Sequence, residues 1–286
     1  MQLLNSCFFK RRYGLRVLLE HIADRLILRP TTGPVETEGR SRQTIDTPVG
    51  VIEAWLSYSQ SLEQVPRLSE VQRVAIKFPG TAGRAERGGP HPFELFPEIL
   101  TEIWTVNHAG YGGSAGPASL AKFAPVCDAV WHAVQQRYPH LPVVAVGNSL
   151  GCVSALYLSA RHNLAGIFLR NPVALQAMIR TRPRYNWWNF GSAKWIADRI
   201  PQELDAIENA RRSQCPALLL RSENDRVAPA RYQRMILDAY AGPKWEFVLP
   251  GAGHHDRVSE DQVEPYLKFL RVHEVHWRAT RETDRS

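Results

Sequence analysis

Apolar residues in this chain fall into two kinds of run, and their order predicts the fold class. Short, almost unbroken apolar stretches stand at residues 74–78, 103–107, 142–146, 166–169, 217–220 and 245–249. Strands buried on both faces read this way. Longer helix-forming segments separate them, among them residues 150–161. Strand and helix alternating from Arg73 onward predict an α/β fold, a mostly parallel sheet flanked by helices. Ahead of it, residues 43–46 and 51–59 flank Thr47-Pro48-Val49-Gly50 and predict an antiparallel start to the sheet. Residues 1–39 form a leader in which Leu15, Leu18, Leu19, Ile22, Leu26 and Ile27 lie at helical spacing. Two readings fit that stripe: a helix packed on the body, or an interfacial membrane helix. The body is expected over 40–272, with a charged tail over 273–286.

One strand runs straight into Gly147-Asn148-Ser149-Leu150-Gly151, and a helical stretch leaves it. Strand, G-x-S-x-G, helix is the layout of a nucleophile elbow. To present a hydroxyl at a strand end the chain must reverse within a few residues, which forces the serine towards positive φ. Flanking glycines remove the Cβ atoms that would collide. The turn also leaves the Leu150 N–H at a helix start, free to bind a developing oxyanion. Gly112-Gly113-Ser114-Ala115-Gly116 fits the same pattern, and a chance match arises in roughly one chain of this length in ten. It lies beyond its strand in a glycine-rich stretch followed by Pro117, so Ser114 reads as loop and Ser149 as the candidate nucleophile.

A serine nucleophile needs a base, and the base an orienting acid. The strand at 217–220 leads into Ser222-Glu223-Asn224-Asp225, and the strand at 245–249 into Gly251-Ala252-Gly253-His254-His255. An acid and a histidine therefore follow two successive strands, at the sheet edge where α/β sites form. Asp225 and His254 are the candidates; Glu223 and His255 are their neighbouring alternatives. Ser259-Glu260-Asp261-Gln262 reads as a capping box opening the last helix.

These segments resemble the α/β-hydrolase superfamily, in particular its serine-aminopeptidase-like and depalmitoylase-like branch of small serine hydrolases. The resemblance covers roughly residues 45–270. It includes Phe78-Pro79-Gly80-Thr81, similar to the family's strand and oxyanion loop, and Asn107-His108-Ala109-Gly110-Tyr111-Gly112-Gly113-Ser114, similar to its Gly-Tyr-Gly-x-Ser loop. It implies Ser149 as nucleophile, Asp225 as acid, His254 as base, and the backbone N–H groups of Thr81 and Leu150 as oxyanion hole. One departure is Pro79-Gly80 where the family usually has His-Gly. The resemblance also implies a short helical lid at about 172–214, where the chain holds Tyr185-Asn186-Trp187-Trp188-Asn189-Phe190. Met178, Ile179, Trp187 and Trp188 are the expected substrate-pocket residues.

Composition narrows the partners. At 286 residues and 44% hydrophobic, the chain can bury one large α/β core. No apolar run reaches the roughly 20 residues of a membrane helix, and the basic Lys10-Arg11-Arg12 follows the short apolar start, the reverse of a secretory signal. Cys7, Cys127, Cys152 and Cys215 are widely spaced, without metal or disulfide spacing. A cytoplasmic protein without metal or organic cofactor is the expectation. The net charge of +7 sits in scattered Arg-rich runs; no nucleic-acid motif accompanies it. Solvated faces or weak peripheral contact with anionic membranes account for it. The function expected is hydrolysis of a small-molecule carboxylic ester or thioester through an acyl-enzyme. A peptidase or amidase of the same fold and a non-catalytic ligand-binding protein on that scaffold are the alternatives.

Overall fold

The computed structural model describes residues 24–25, 27–37, 40–61, 64–181 and 192–279. Eight strands form one sheet: β1 (Ser41–Ile45), β2 (Ile52–Tyr58), β3 (Arg73–Phe78), β4 (Thr101–Val106), β5 (Val143–Asn148), β6 (Gly166–Arg170), β7 (Ala217–Ser222) and β8 (Lys244–Leu249). Their order is β1-β2-β4-β3-β5-β6-β7-β8. β1 pairs antiparallel with β2, and β2 antiparallel with β4; every later pairing is parallel. The mostly parallel sheet and its antiparallel start are therefore as the apolar pattern predicts.

Side chains alternate across the strands and build a core on each face. Val74, Ile76 and Phe78 of β3 join Ala145 of β5 and Leu219 of β7 in the larger core. Helices α1 (Phe123–Arg137), α2 (Gly151–Ser159) and α6 (Ala230–Ala239) pack there. Ala75, Val144, Val146, Leu218 and Leu220 point the other way, against Phe93, Phe96 and helix α7 (Glu260–Glu274). All nine residues of α2 are buried, which explains its nearly uniform apolar sequence.

Three local expectations are revised. Ser259 is the N-cap of α7 but its side chain caps nothing; Gln262 instead donates to the Pro250 carbonyl at 2.9 Å, so the capping box does not form. Residues 273–279, expected as the start of a charged tail, dock on the body instead. Helix α8 (His276–Ala279) follows α7, and Glu274 and Trp277 are buried, because both have partners on the body. Within the expected lid, α3 (Leu175–Thr181) and α4 (Ser192–Ala197) pack together. The later helix α5 (Ala206–Arg212) lies against α2 and α6 as part of the body. The leader stripe over residues 15–22, Leu26, and the segment with Trp187 and Trp188 lie outside the described residues; Ile27 and Leu28 are buried against the body.

Candidate active site

The turn between β5 and α2 is as tight as its glycines suggest. Ser149 has φ 53°, in the left-handed region. A Cβ on Gly151 would collide with the Phe78 carbonyl, and one on Gly147 with the backbone of Cys152. Only glycine fits either position, since backbone cannot yield. The Ser149 N–H donates to the Arg170 carbonyl of β6 at 2.8 Å, pinning the bend to the neighbouring strand. Cys152, one turn on, is buried with Cys127 and Cys215; burial pushes each thiol up, Cys215 to about 11. These three are unionised packing residues; Cys7 lies outside the described residues.

The ends of β7 and β8 bring in the other two groups. Asp225 lies three residues beyond β7 with its side chain fully buried. Its Oδ1 accepts from the Val227 and Ala228 N–H groups at 2.8 and 2.7 Å. Its Oδ2 faces Gln233 Nε2 at 3.1 Å and His254 Nδ1 at 2.6 Å. A carboxylate only accepts, so Nδ1 carries the ring proton and Nε2 is left as acceptor. His254 Nε2 lies 3.0 Å from Ser149 Oγ, so the hydroxyl donates to the imidazole. Ser149, His254 and Asp225 therefore form one hydrogen-bonded chain. The alternatives do not enter it: Glu223 accepts from the Gly251 N–H at 2.7 Å, and His255 is exposed, edge-on to His254. Ser114 is buried loop, accepting from Glu53 N at 3.0 Å and donating to Asn107 O at 2.7 Å.

The loop after β3 passes directly over this chain. A Cβ on Gly80 would sit 3.0 Å from Asn148 O and 3.2 Å from Ser149 Cβ, so replacing the family's histidine with Pro79 leaves the close approach intact. Gly83 N donates to Gly80 O at 2.8 Å, and Ala82 takes φ 59° between them. Thr81 and Leu150 both line the cavity beside Ser149. Among the described residues neither backbone N–H has a hydrogen-bond acceptor, which leaves both available to an incoming oxygen. Lys77 of β3 braces the return of this loop, donating to the carbonyls of Gly89 and His91 at 2.7 and 2.9 Å. Burial pushes its ammonium down to about 8.

The cavity holds about 480 Å³. Met178 lines it, together with Leu175 one turn earlier on α3. Ile179 does not: it is fully buried in the core. Successive helical residues point about 100° apart, so only one of the pair can face the cavity. Trp187 and Trp188 lie outside the described residues. Sequence reasoning missed four contributors. Ile27 and Arg29 line the cavity from the leader, and no local pattern signals where a leader docks. Asn171 has φ 47° and donates to the His254 carbonyl at 3.1 Å; nothing beside it in the sequence names that partner. Gln233 is buried in α6 and named by nothing around it.

Fold and site together define a hydrolase scaffold. The chain belongs to the alpha/beta hydrolase family, whose sequence profile matches residues 79–267. It is similar to the alpha/beta hydrolase domain-containing protein 17B of Xenopus laevis, 25% identical over 174 residues, 60% of this chain and 54% of that one. The chain thus matches about half the length of such curated relatives. Its fold is similar to an esterase of Pyrococcus furiosus, with TM-score 0.64 at 12% identity, covering 87% of this chain and 97% of that one. An acylaminoacyl peptidase of Pyrococcus horikoshii has TM-score 0.62 at 11% identity, over 84% of this chain and 42% of that one.

Proposed function

We propose that the protein is a serine hydrolase that cleaves carboxylic esters or thioesters through an acyl-enzyme on Ser149. The observation that carries this reading is the hydrogen-bonded chain Ser149–His254–Asp225 at 3.0 and 2.6 Å. His254 Nε2 takes the hydroxyl proton as Ser149 Oγ attacks the carbonyl carbon. Asp225 fixes the tautomer and faces the imidazolium that forms. The N–H groups of Leu150 and Thr81 receive the oxyanion; one such donor is worth about 10²–10³ in kcat. His254 then protonates the leaving alcohol or thiol. Water, deprotonated by the same nitrogen, releases the acid and regenerates the serine. These steps balance without a metal or organic cofactor.

Esters are favoured over peptides by the walls of the cavity. An exopeptidase needs carboxylates to hold a free amine, and no acidic side chain lines the cavity among the described residues.

Labelling with a fluorophosphonate probe is the direct test. Wild type should label and Ser149→Ala should not; equal labelling of both removes the reading. His254→Ala should abolish ester turnover, whereas His255→Ala should keep most of it.

A further inference from the structure

Arg29 is the only side chain of Asp, Glu, Lys or Arg among the described residues lining the cavity above Ser149. It is held there by a fixed segment. Ile27 and Leu28 before it are buried. Asp24 Oδ1 accepts from the Leu120 N–H at 3.0 Å, and the Thr31 carbonyl accepts from the Gly112 N–H at 2.9 Å, so the segment is tied to the body on both sides of Arg29. Arg29 is an exposed residue, and among the described residues its guanidinium has no ion-pair or hydrogen-bond partner. A sphere of the cavity's volume, about 480 Å³, is roughly 10 Å across, so one small molecule can touch both Arg29 and Ser149.

A wholly apolar acyl chain filling this space would cover part of the hydration of Arg29 and return nothing. An anion returns more than it removes, because the planar fork of arginine matches carboxylate and phosphate oxygens with two charge-assisted hydrogen bonds. Four aliphatic side chains also line the cavity: Val173, Leu175, Met178 and Val227. They suit a run of methylenes.

Resting on the serine-hydrolase reading above, we propose that the preferred substrate is an ester or thioester whose acyl chain ends in an anionic group, carboxylate or phosphate, bound by Arg29. The guanidinium makes and breaks no bond; it anchors the far end while the carbonyl sits at Ser149.

The test compares 4-nitrophenyl butyrate, mono-4-nitrophenyl glutarate and 4-nitrophenyl 4-phosphonobutyrate with wild type, Arg29→Ala and Arg29→Lys. In wild type, kcat/KM for at least one acidic ester should exceed that for the butyrate by about tenfold. The better of the two acids identifies the anion. That ratio should fall towards unity in Arg29→Ala, be intermediate in Arg29→Lys, and shrink in wild type as salt is raised. No preference for either acid in wild type, or the same ratio in Arg29→Ala, overturns the proposal. Fluorophosphonate labelling of the same preparations separates the two failures. A labelled Ser149 without acid preference removes only the role of Arg29, whereas an unlabelled Ser149 removes the hydrolase reading beneath it.

Discussion

Ser149 and Asn171 stand at the ends of adjacent strands, and both take positive φ, 53° and 47°. For Ser149 the strain presents a hydroxyl. For Asn171 it aims a side-chain amide across the site: Oδ1 accepts from the Ser222 N–H at 2.8 Å, and Nδ2 donates to Ser222 Oγ and to the His254 carbonyl, both at 3.1 Å. Asparagine tolerates this backbone region better than most residues. Asn171 is therefore a positioning residue, holding the His254 loop against β7. Asn171→Gly keeps the backbone conformation without strain and deletes all three bonds. On the proposed serine-hydrolase reading, its kcat should fall by about tenfold with KM nearly unchanged, since a displaced imidazole impairs attack more than binding. An unchanged kcat would mean that the loop is held without it. Ser149, Asp225 and His254 were legible in the sequence because each is announced locally, by glycines, by a strand end and by chain order. Asn171 and Gln233 act across 83 and 8 residues, on His254 and Asp225 respectively, and nothing in their neighbours' identities encodes that distance.

Among the elements, the strands were legible for a similar reason. In β3 to β7 burial on both faces leaves a largely apolar run, visible without knowing which strand lies beside which; β8, at the sheet edge, is only half-buried. What such runs hide is the polar group buried at their ends. His108, just past β4, is stacked on Phe123 with ring centroids 3.8 Å apart and on Phe78 at 5.4 Å. Nε2 lies 3.0 Å from Ser154 Oγ, and Nδ1 has no partner. Burial pushes this imidazole down to about 3, because a second ring proton would face an apolar wall. The folded group is thus neutral where the unfolded one, near 6.5, takes a proton. Between pH 6.5 and 3 the unfolded state binds more protons, so stability falls as pH falls; above 6.5 the contribution is fully present. By pH 5 the loss is roughly 2 kcal/mol, from 1.5 pH units at 1.36 kcal/mol each. His108→Phe keeps the stack and removes the titration. Urea unfolding at pH 7 and pH 5 should show the wild type losing about 2 kcal/mol more than this variant; equal losses would contradict the assignment.

At the scale of the whole molecule, the sheet carries two cores, and the smaller one closes only when the C-terminal residues dock. Arg73 of β3 donates to Glu274 of α7 at 2.5 Å, with both side chains about 2% exposed. The guanidinium lies 4.9 Å from the Phe93 ring centre, 5.6 Å from Phe96 and 5.8 Å from Trp277. Trp277 is 1% exposed and occupies space left by Gly166 of β6, where a Cβ would collide with the indole. The charged residues around it, from Arg271 to Arg285, made this stretch read as tail; composition averages over the one large apolar residue that matters. If the docking closes the core, Trp277→Ala should lower the unfolding free energy by about 4 kcal/mol. The neighbouring Val275→Ala, at an exposed position, should stay within about 0.5 kcal/mol of wild type. Because Trp277 packs on the face opposite α2 and the elbow, the folded fraction of Trp277→Ala should still label with fluorophosphonate. A tryptophan variant as stable as the valine variant would mean that the sheet is closed without its C-terminal helix.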